Sequence, residues 1–198
     1  MQQKTFIFIG RSGCGKGTQA ARIMEHLKAE DPTTPIFYME SGDRFRTFLK
    51  GNGYTQELSK KIMASGDLQP AFLAVHIWSH LMIEDMSANK HMVIDGTPRI
   101  KAEAMILDSA MQFYGRAEPT VVYLNVSREW SKARLAGRGR SDDVVAAEVD
   151  KRLGWFDSEV MPAIEYLRES PLYRFIEING EQTIEEVQQE IMQKVFNS

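Results

Sequence analysis

Residues 4–18 read Lys-Thr-Phe-Ile-Phe-Ile-Gly-Arg-Ser-Gly-Cys-Gly-Lys-Gly-Thr, an apolar run of strand character that passes into a glycine-rich loop, presents one lysine and then opens a helix. Gly10, Gly13, Gly15 and Gly17 carry no Cβ to block close approach, so successive backbone N–H groups can turn inward as an anion nest at a helix N-terminus. Lys16 adds a point charge for β- and γ-phosphates, and Thr18 offers a hydroxyl toward a Mg²⁺ shell. Gly10, four residues, then Gly15-Lys16 is P-loop spacing, with Gly17 in the usual Ser/Thr slot and Thr18 after it. The stretch therefore predicts a triphosphate cradle that includes Cys14 as a small loop residue.

Working outward, strand-like runs recur at 5–9, 35–39, 91–94, 120–126 and 174–178. Helical periodicity fills 16–29, 70–86, 101–114, 128–135, 142–170 and 183–196. This alternation predicts a P-loop NTPase-type three-layer α/β fold, a five-stranded parallel sheet with helices on both faces. Residues 40–69 interrupt the pattern with short helices and glycines at 42, 51, 53 and 66, and read as a mobile insertion.

With 198 residues and a net charge of −3, the chain has room for one α/β core with small insertions and shows no global basic surface for nucleic acid. No apolar run reaches membrane-spanning length, and a charged opening that leads straight into a strand predicts a cytoplasmic protein with no membrane partner. The single cysteine, Cys14, excludes an internal disulfide and a multi-thiolate zinc cluster, so zinc is not expected.

Two further segments sit where strands end, the place where parallel sheets bind ligands. Glu40-Ser41-Gly42-Asp43-Arg44-Phe45-Arg46 follows the second strand, and Asp95-Gly96-Thr97-Pro98-Arg99 follows the third. Asp95 stands where a carboxylate holds Mg²⁺ through water, and Arg46 and Arg99 supply forks for a second phosphate. Arg134, Arg138, Arg140 and Arg152 gather around the acidic pair Asp142-Asp143, which either caps a helix or anchors arginines. Such a cluster suits a phosphoryl group in transit, whose charge is spread over its oxygens. His76 and His80 share a helix face without a third ligand, and Trp78, Trp130 and Trp155 read as packing residues.

Together these residues resemble the adenylate kinase family of nucleoside monophosphate kinases over nearly the whole chain. Gly10 to Gln19 resembles the family's phosphate loop, Ser41-Gly42-Asp43 with Arg46 its acceptor-binding segment, and Met63 to Pro70 its closing turn. Asp95 to Arg99 resembles its Asp-Gly-Phe-Pro-Arg signature. The resemblance implies one domain, 1–198, with a core of 1–39, 70–137 and 141–198, an acceptor-binding insertion at 40–69 and a vestigial lid at 138–140. It implies that ATP is held by Gly10, Gly13, Cys14, Gly15, Lys16, Gly17 and Thr18, with Arg134 near its base and Gln182 beside the Asn179-Gly180 turn. The monophosphate falls to Ser41, Arg46, Met63, Gln69, Gly96, Arg99 and Glu103. The catalytic set is Lys16, Arg99, Arg138, Arg140 and Arg152, with Mg²⁺ at Thr18 and, through water, Asp95. The implied reaction is ATP + NMP ⇌ ADP + NDP, carried out by a monomer or small homo-oligomer with AMP as favoured acceptor.

The sequence departs from the family pattern in three respects. Ser12 replaces a proline and Thr97 a phenylalanine; only Gly139 separates Arg138 from Arg140, which all but removes the lid; and Glu103 stands where a glutamine reads acceptor adenine. A carboxylate there favours the two donors of guanine, which keeps GMP, with a pyrimidine monophosphate, as the alternative acceptor. A catalytically inactive nucleotide sensor is the reading from another class, and the complete set of Lys16, Asp95 and arginines argues against it. No Asn-Lys-x-Asp guanine reader of a GTPase is present, and shikimate or gluconate kinases leave the 41–43 and 95–99 segments unexplained.

Overall fold

The computed structural model describes residues 3–137 and 146–196. Five strands, β1 (Thr5–Gly10), β2 (Ile36–Glu40), β3 (His91–Asp95), β4 (Thr120–Asn125) and β5 (Arg174–Asn179), form one parallel sheet in the order β2-β3-β1-β4-β5. The expected strands match to within one residue at either end. β1 is central, and the chain leaves it first toward the β2 side and later toward β4, so its C-terminal end is the topological switch point where open α/β sheets bind ligands.

Alternation along β1 decides which helices cover which face. Phe6 and Phe8 pack with Ala20, Ile23 and Leu27 of α1 (Lys16–Glu30) and with Val187 and Ile191 of α9 (Ile184–Phe196). Ile7 and Ile9 point the other way, onto the cluster that contains Trp78 and Met82 of α4 (Ala71–Asp85) and Leu107 of α5 (Lys101–Phe113). Ile164 and Leu167 of α8 (Met161–Glu169) complete that cluster. A sheet buried on both faces accounts for strands that read as continuous apolar runs.

Between β2 and α4 the chain forms α2 (Ser41–Phe48) and α3 (Tyr54–Ala64), and α6 (Arg128–Ala136) follows β4. The helix expected over 142–170 is, in its described part, α7 (Ala146–Trp155) and α8 separated by a π-helical turn, Phe156–Val160. Pro162, in the first turn of α8, has no N–H to give and its ring crowds the carbonyl four residues back. The ladder widens just before it, where the Met161 N–H donates to the Phe156 carbonyl five residues earlier. Residues 138–145, which hold Arg138, Gly139, Arg140 and the Asp142-Asp143 pair, lie outside the described residues.

Candidate active site

The glycine-rich loop leaves β1 at the centre of the sheet and closes on the first turn of α1, whose N-cap, Gly15, is left-handed with φ of 95°. In this arrangement Lys16 Nζ folds over its own loop, donating to the carbonyls of Gly10 (2.9 Å) and Arg11 (3.2 Å). Cys14 is buried, and burial pushes its thiol above the usual range despite the opposing Lys16 charge, so it is a packing group of the loop.

Asp95 ends β3 beside β1, in register with Phe8, and is buried. A Cβ on Gly17 would lie 3.2 Å from Asp95 Oδ2, so the glycine lets the α1 N-terminus sit against this carboxylate. Thr18 follows on the exposed first turn. Arg134, on α6, stacks over Trp130 with its guanidinium carbon 5.1 Å from the ring centre. Gly180 N–H donates to the Asn125 carbonyl (2.8 Å), and the Gln182 amide donates to the Asn179 carbonyl and to Glu190, which ties this turn beside the loop.

The second group of predicted residues assembles on the β2–β3 side. Ser41 Oγ donates to the Gly96 carbonyl (2.7 Å), which also accepts from Arg99 Nε (3.1 Å). Arg46 Nη2 donates to Glu40 (3.0 Å). The Gln69 amide is locked onto Ser59, accepting from its hydroxyl (2.6 Å) and donating to its carbonyl (3.0 Å). Arg152, on α7, faces the same space. Burial lowers the Arg99 pKa; Arg152 and Arg46 push the same way as like charges, while Glu103 and Asp95 oppose. Guanidinium groups stay protonated, so Arg46, Arg99 and Arg152 bring three fixed positive charges to this corner, offset by the carboxylates of Glu40, Asp43, Asp95 and Glu103.

One cavity of about 850 Å³ joins the two groups. Lys16, Thr18 and Arg134 line it together with Arg46, Met63, Arg152, Gly96 and Gln69. Glu103 is not among the lining residues. It is 3 % exposed, in the first turn of α5, with Arg99 and Trp78 beside it. His76 and His80 stack in parallel on an exposed face of α4, and among the described residues no cluster of three or more His, Cys, Asp or Glu side chains could hold a metal.

Sequence reasoning passed over three residues that matter to this geometry. Glu40 ends β2 in register with Asp95, lines the cavity and pairs with Arg46; its place immediately before Ser41-Gly42-Asp43 is the signal that was available. Arg11 buttresses the loop from behind, donating to Asp157 (2.7 Å) and the Leu153 carbonyl (3.2 Å) across the Phe156 ring. Trp155 lines the cavity instead of serving only as packing, and no local pattern announces that.

A glycine-rich loop of phosphate-loop spacing at the switch point, sharing one cavity with Arg46, Arg99 and Arg152, defines a P-loop phosphotransferase of the nucleoside monophosphate kinase class. The adenylate kinase family model matches residues 8–171. Adenylate kinase 1 of Nostoc sp. is 32% identical over 185 residues, 93% of this chain and 95% of that protein. The adenylate kinases of Leptospira biflexa (31% over 196 residues, 97% and 100%) and Leuconostoc mesenteroides (29% over 175 residues, 88% of each) are similar. The chain belongs to the adenylate kinase family.

Proposed function

We propose that this protein transfers the γ-phosphoryl group of Mg·ATP to AMP, giving two ADP. The observation that carries the reading is the one cavity whose lining includes both the loop lysine, Lys16, and the arginines Arg46, Arg99 and Arg152. A non-bridging oxygen of the AMP phosphate attacks the γ-phosphorus while the bond to the β–γ bridging oxygen breaks and its electrons leave with ADP. Little covalent work falls to the protein, so positioning and charge stabilisation supply the catalysis. Lys16 and the loop N–H groups hold the donor β- and γ-phosphates, Arg46 and Arg99 fix the acceptor phosphate, and Arg152 meets the group in transit. Arg138 and Arg140 complete the catalytic set that the family resemblance implies.

One hydroxyl, Thr18, and one buried carboxylate, Asp95, suit an ion that arrives on the nucleotide and keeps several waters better than a resident metal. Held there, the ion would supply neutralisation of charge on the donor oxygens. The test is diphosphate formation by purified protein given Mg·ATP with AMP, GMP, CMP or UMP in turn. ADP formation fastest with AMP is expected. No diphosphate with any acceptor overturns the reading, and a preference for GMP or a pyrimidine overturns the acceptor.

A further inference from the structure

Helix α7 presents Glu148, Lys151, Arg152 and Trp155 along one face, at the i, i+3, i+4 and i+7 spacing that aligns side chains. Three of these reach the turn that closes segment 40–69. The Trp155 indole N–H donates to the Gly66 carbonyl (3.0 Å), and Lys151 Nζ lies 2.6 Å from Asp67 Oδ1. Gly66 sits with φ of +71° so close to α7 that a Cβ would fall 3.2 Å from both the Cα and the carbonyl oxygen of Glu148. The turn and the helix thus meet backbone to backbone, with an indole hydrogen bond and an ion pair on either side. On the cavity side the same face carries Arg152, and the same turn lies between Met63 and Gln69.

We infer that Trp155, with Lys151, is a positioning residue for the acceptor, clasping the Gly66-Asp67 turn so that the acceptor wall and Arg152 are held in one register. The inference rests on the proposed phosphotransfer to a nucleoside monophosphate and adds to it which residues set acceptor affinity. The indole bond is the stronger half of the clasp because it is half-buried, whereas Lys151 and Asp67 are each about half exposed and their attraction is screened. Trp155 also packs on the main apolar cluster, so its ring is anchored in the core while its N–H restrains the turn. Neither Gly66 nor Lys151 has a place in the phosphoryl-transfer chemistry. Their effect acts through the geometry of the acceptor wall.

Steady-state kinetics with Mg·ATP and AMP separates the possibilities. Trp155→Phe keeps an aromatic ring against the core and removes the indole donor together with part of the ring's bulk. It is expected to raise the acceptor KM about fivefold, the weight of one ordinary hydrogen bond, with the ATP KM unchanged and kcat not reduced. An unchanged acceptor KM, an equal rise for both substrates, or a loss confined to kcat overturns the clasp and leaves the proposed function standing. Wild-type protein that forms no ADP from AMP overturns the function, and the clasp falls with it. Should Trp155→Phe fail to fold, the surface pair decides: Lys151→Glu raises the acceptor KM about threefold, and Asp67→Lys with Lys151→Glu restores it. Failure of the exchange to restore it overturns the inference.

Discussion

Arg46 bends back over Gly42 so that its Nη2 lies 3.0 Å from Oε1 of Glu40, one strand away from the buried Asp95. A Cβ at position 42 would stand 3.2 Å from Arg46 Nη1, so the glycine leaves the guanidinium room to lie close over the turn. A carboxylate thereby holds the guanidinium that a phosphate is proposed to take over. Arg46→Ala should raise the acceptor KM by tenfold or more, the weight of a charge-assisted contact of roughly 1.5–3 kcal/mol, with the ATP KM nearly constant. Glu40→Gln should lower the acceptor KM two- to fivefold, because a competing negative charge beside the phosphate is gone. Initial-rate measurements on the two variants check both directions, and parallel loss for both substrates would remove Arg46 from the acceptor site.

Lys16 rests on the Gly10 and Arg11 carbonyls and lines the cavity. Lys16→Ala should leave the fold intact and lower kcat by about a hundredfold or more, since a donor aimed at transition-state charge is worth roughly 3 kcal/mol. Thermal melting and single-turnover rates report the two halves of that expectation. Turnover within threefold of the parent would move the donor site elsewhere.

Burial holds the Glu103 carboxyl above its ordinary value of 4.5, even though the Arg99 charge pulls it down. An acid raised in the folded state contributes stability that is complete below the unfolded pKa and is lost as pH rises through the folded one. Glu103→Gln removes that loss. Its Tm should match wild type near pH 4 and exceed it increasingly toward neutrality. Because Glu103 does not line the cavity, the AMP to GMP ratio of kcat/KM should change less than threefold, and a tenfold change would mean that it touches the acceptor base.

Gly10 closes β1 with φ of +150°, and a Cβ there would lie 2.5 Å from the Leu124 carbonyl oxygen. That contact is with backbone of the neighbouring strand and cannot relax by a side-chain rotation. Gly10→Ala should cost about 2 kcal/mol or more, which for a chain of this size lowers Tm by about 4–8 °C. Calorimetry checks it, and a shift below 1 °C would show that the loop accommodates a methyl group.

Much of this molecule is written in short-range pattern. The five apolar runs, the glycine spacing of 10–17 and the apolar periodicity of the helices are local properties, so the strands, the phosphate loop and the three-layer class were legible without any contact information. The Ser41-Gly42-Asp43 and Asp95 to Arg99 segments were legible too, because residues at strand ends in a parallel sheet share one edge. What tertiary structure alone decided is which of these residues face one another. The strand order sets β1 between β3 and β4, which brings Asp95 against Gly17 across 78 residues of chain. Helix rotation about its axis turns Glu103 into the core beside Arg99 instead of toward the cavity, and the π turn before Pro162 sets how α8 continues from α7. Trp155 meets Gly66 over 89 residues for the same reason. Periodicity determines that an element forms and which stripe is apolar; the handed crossovers and close packing of the whole chain determine what each remaining side chain touches.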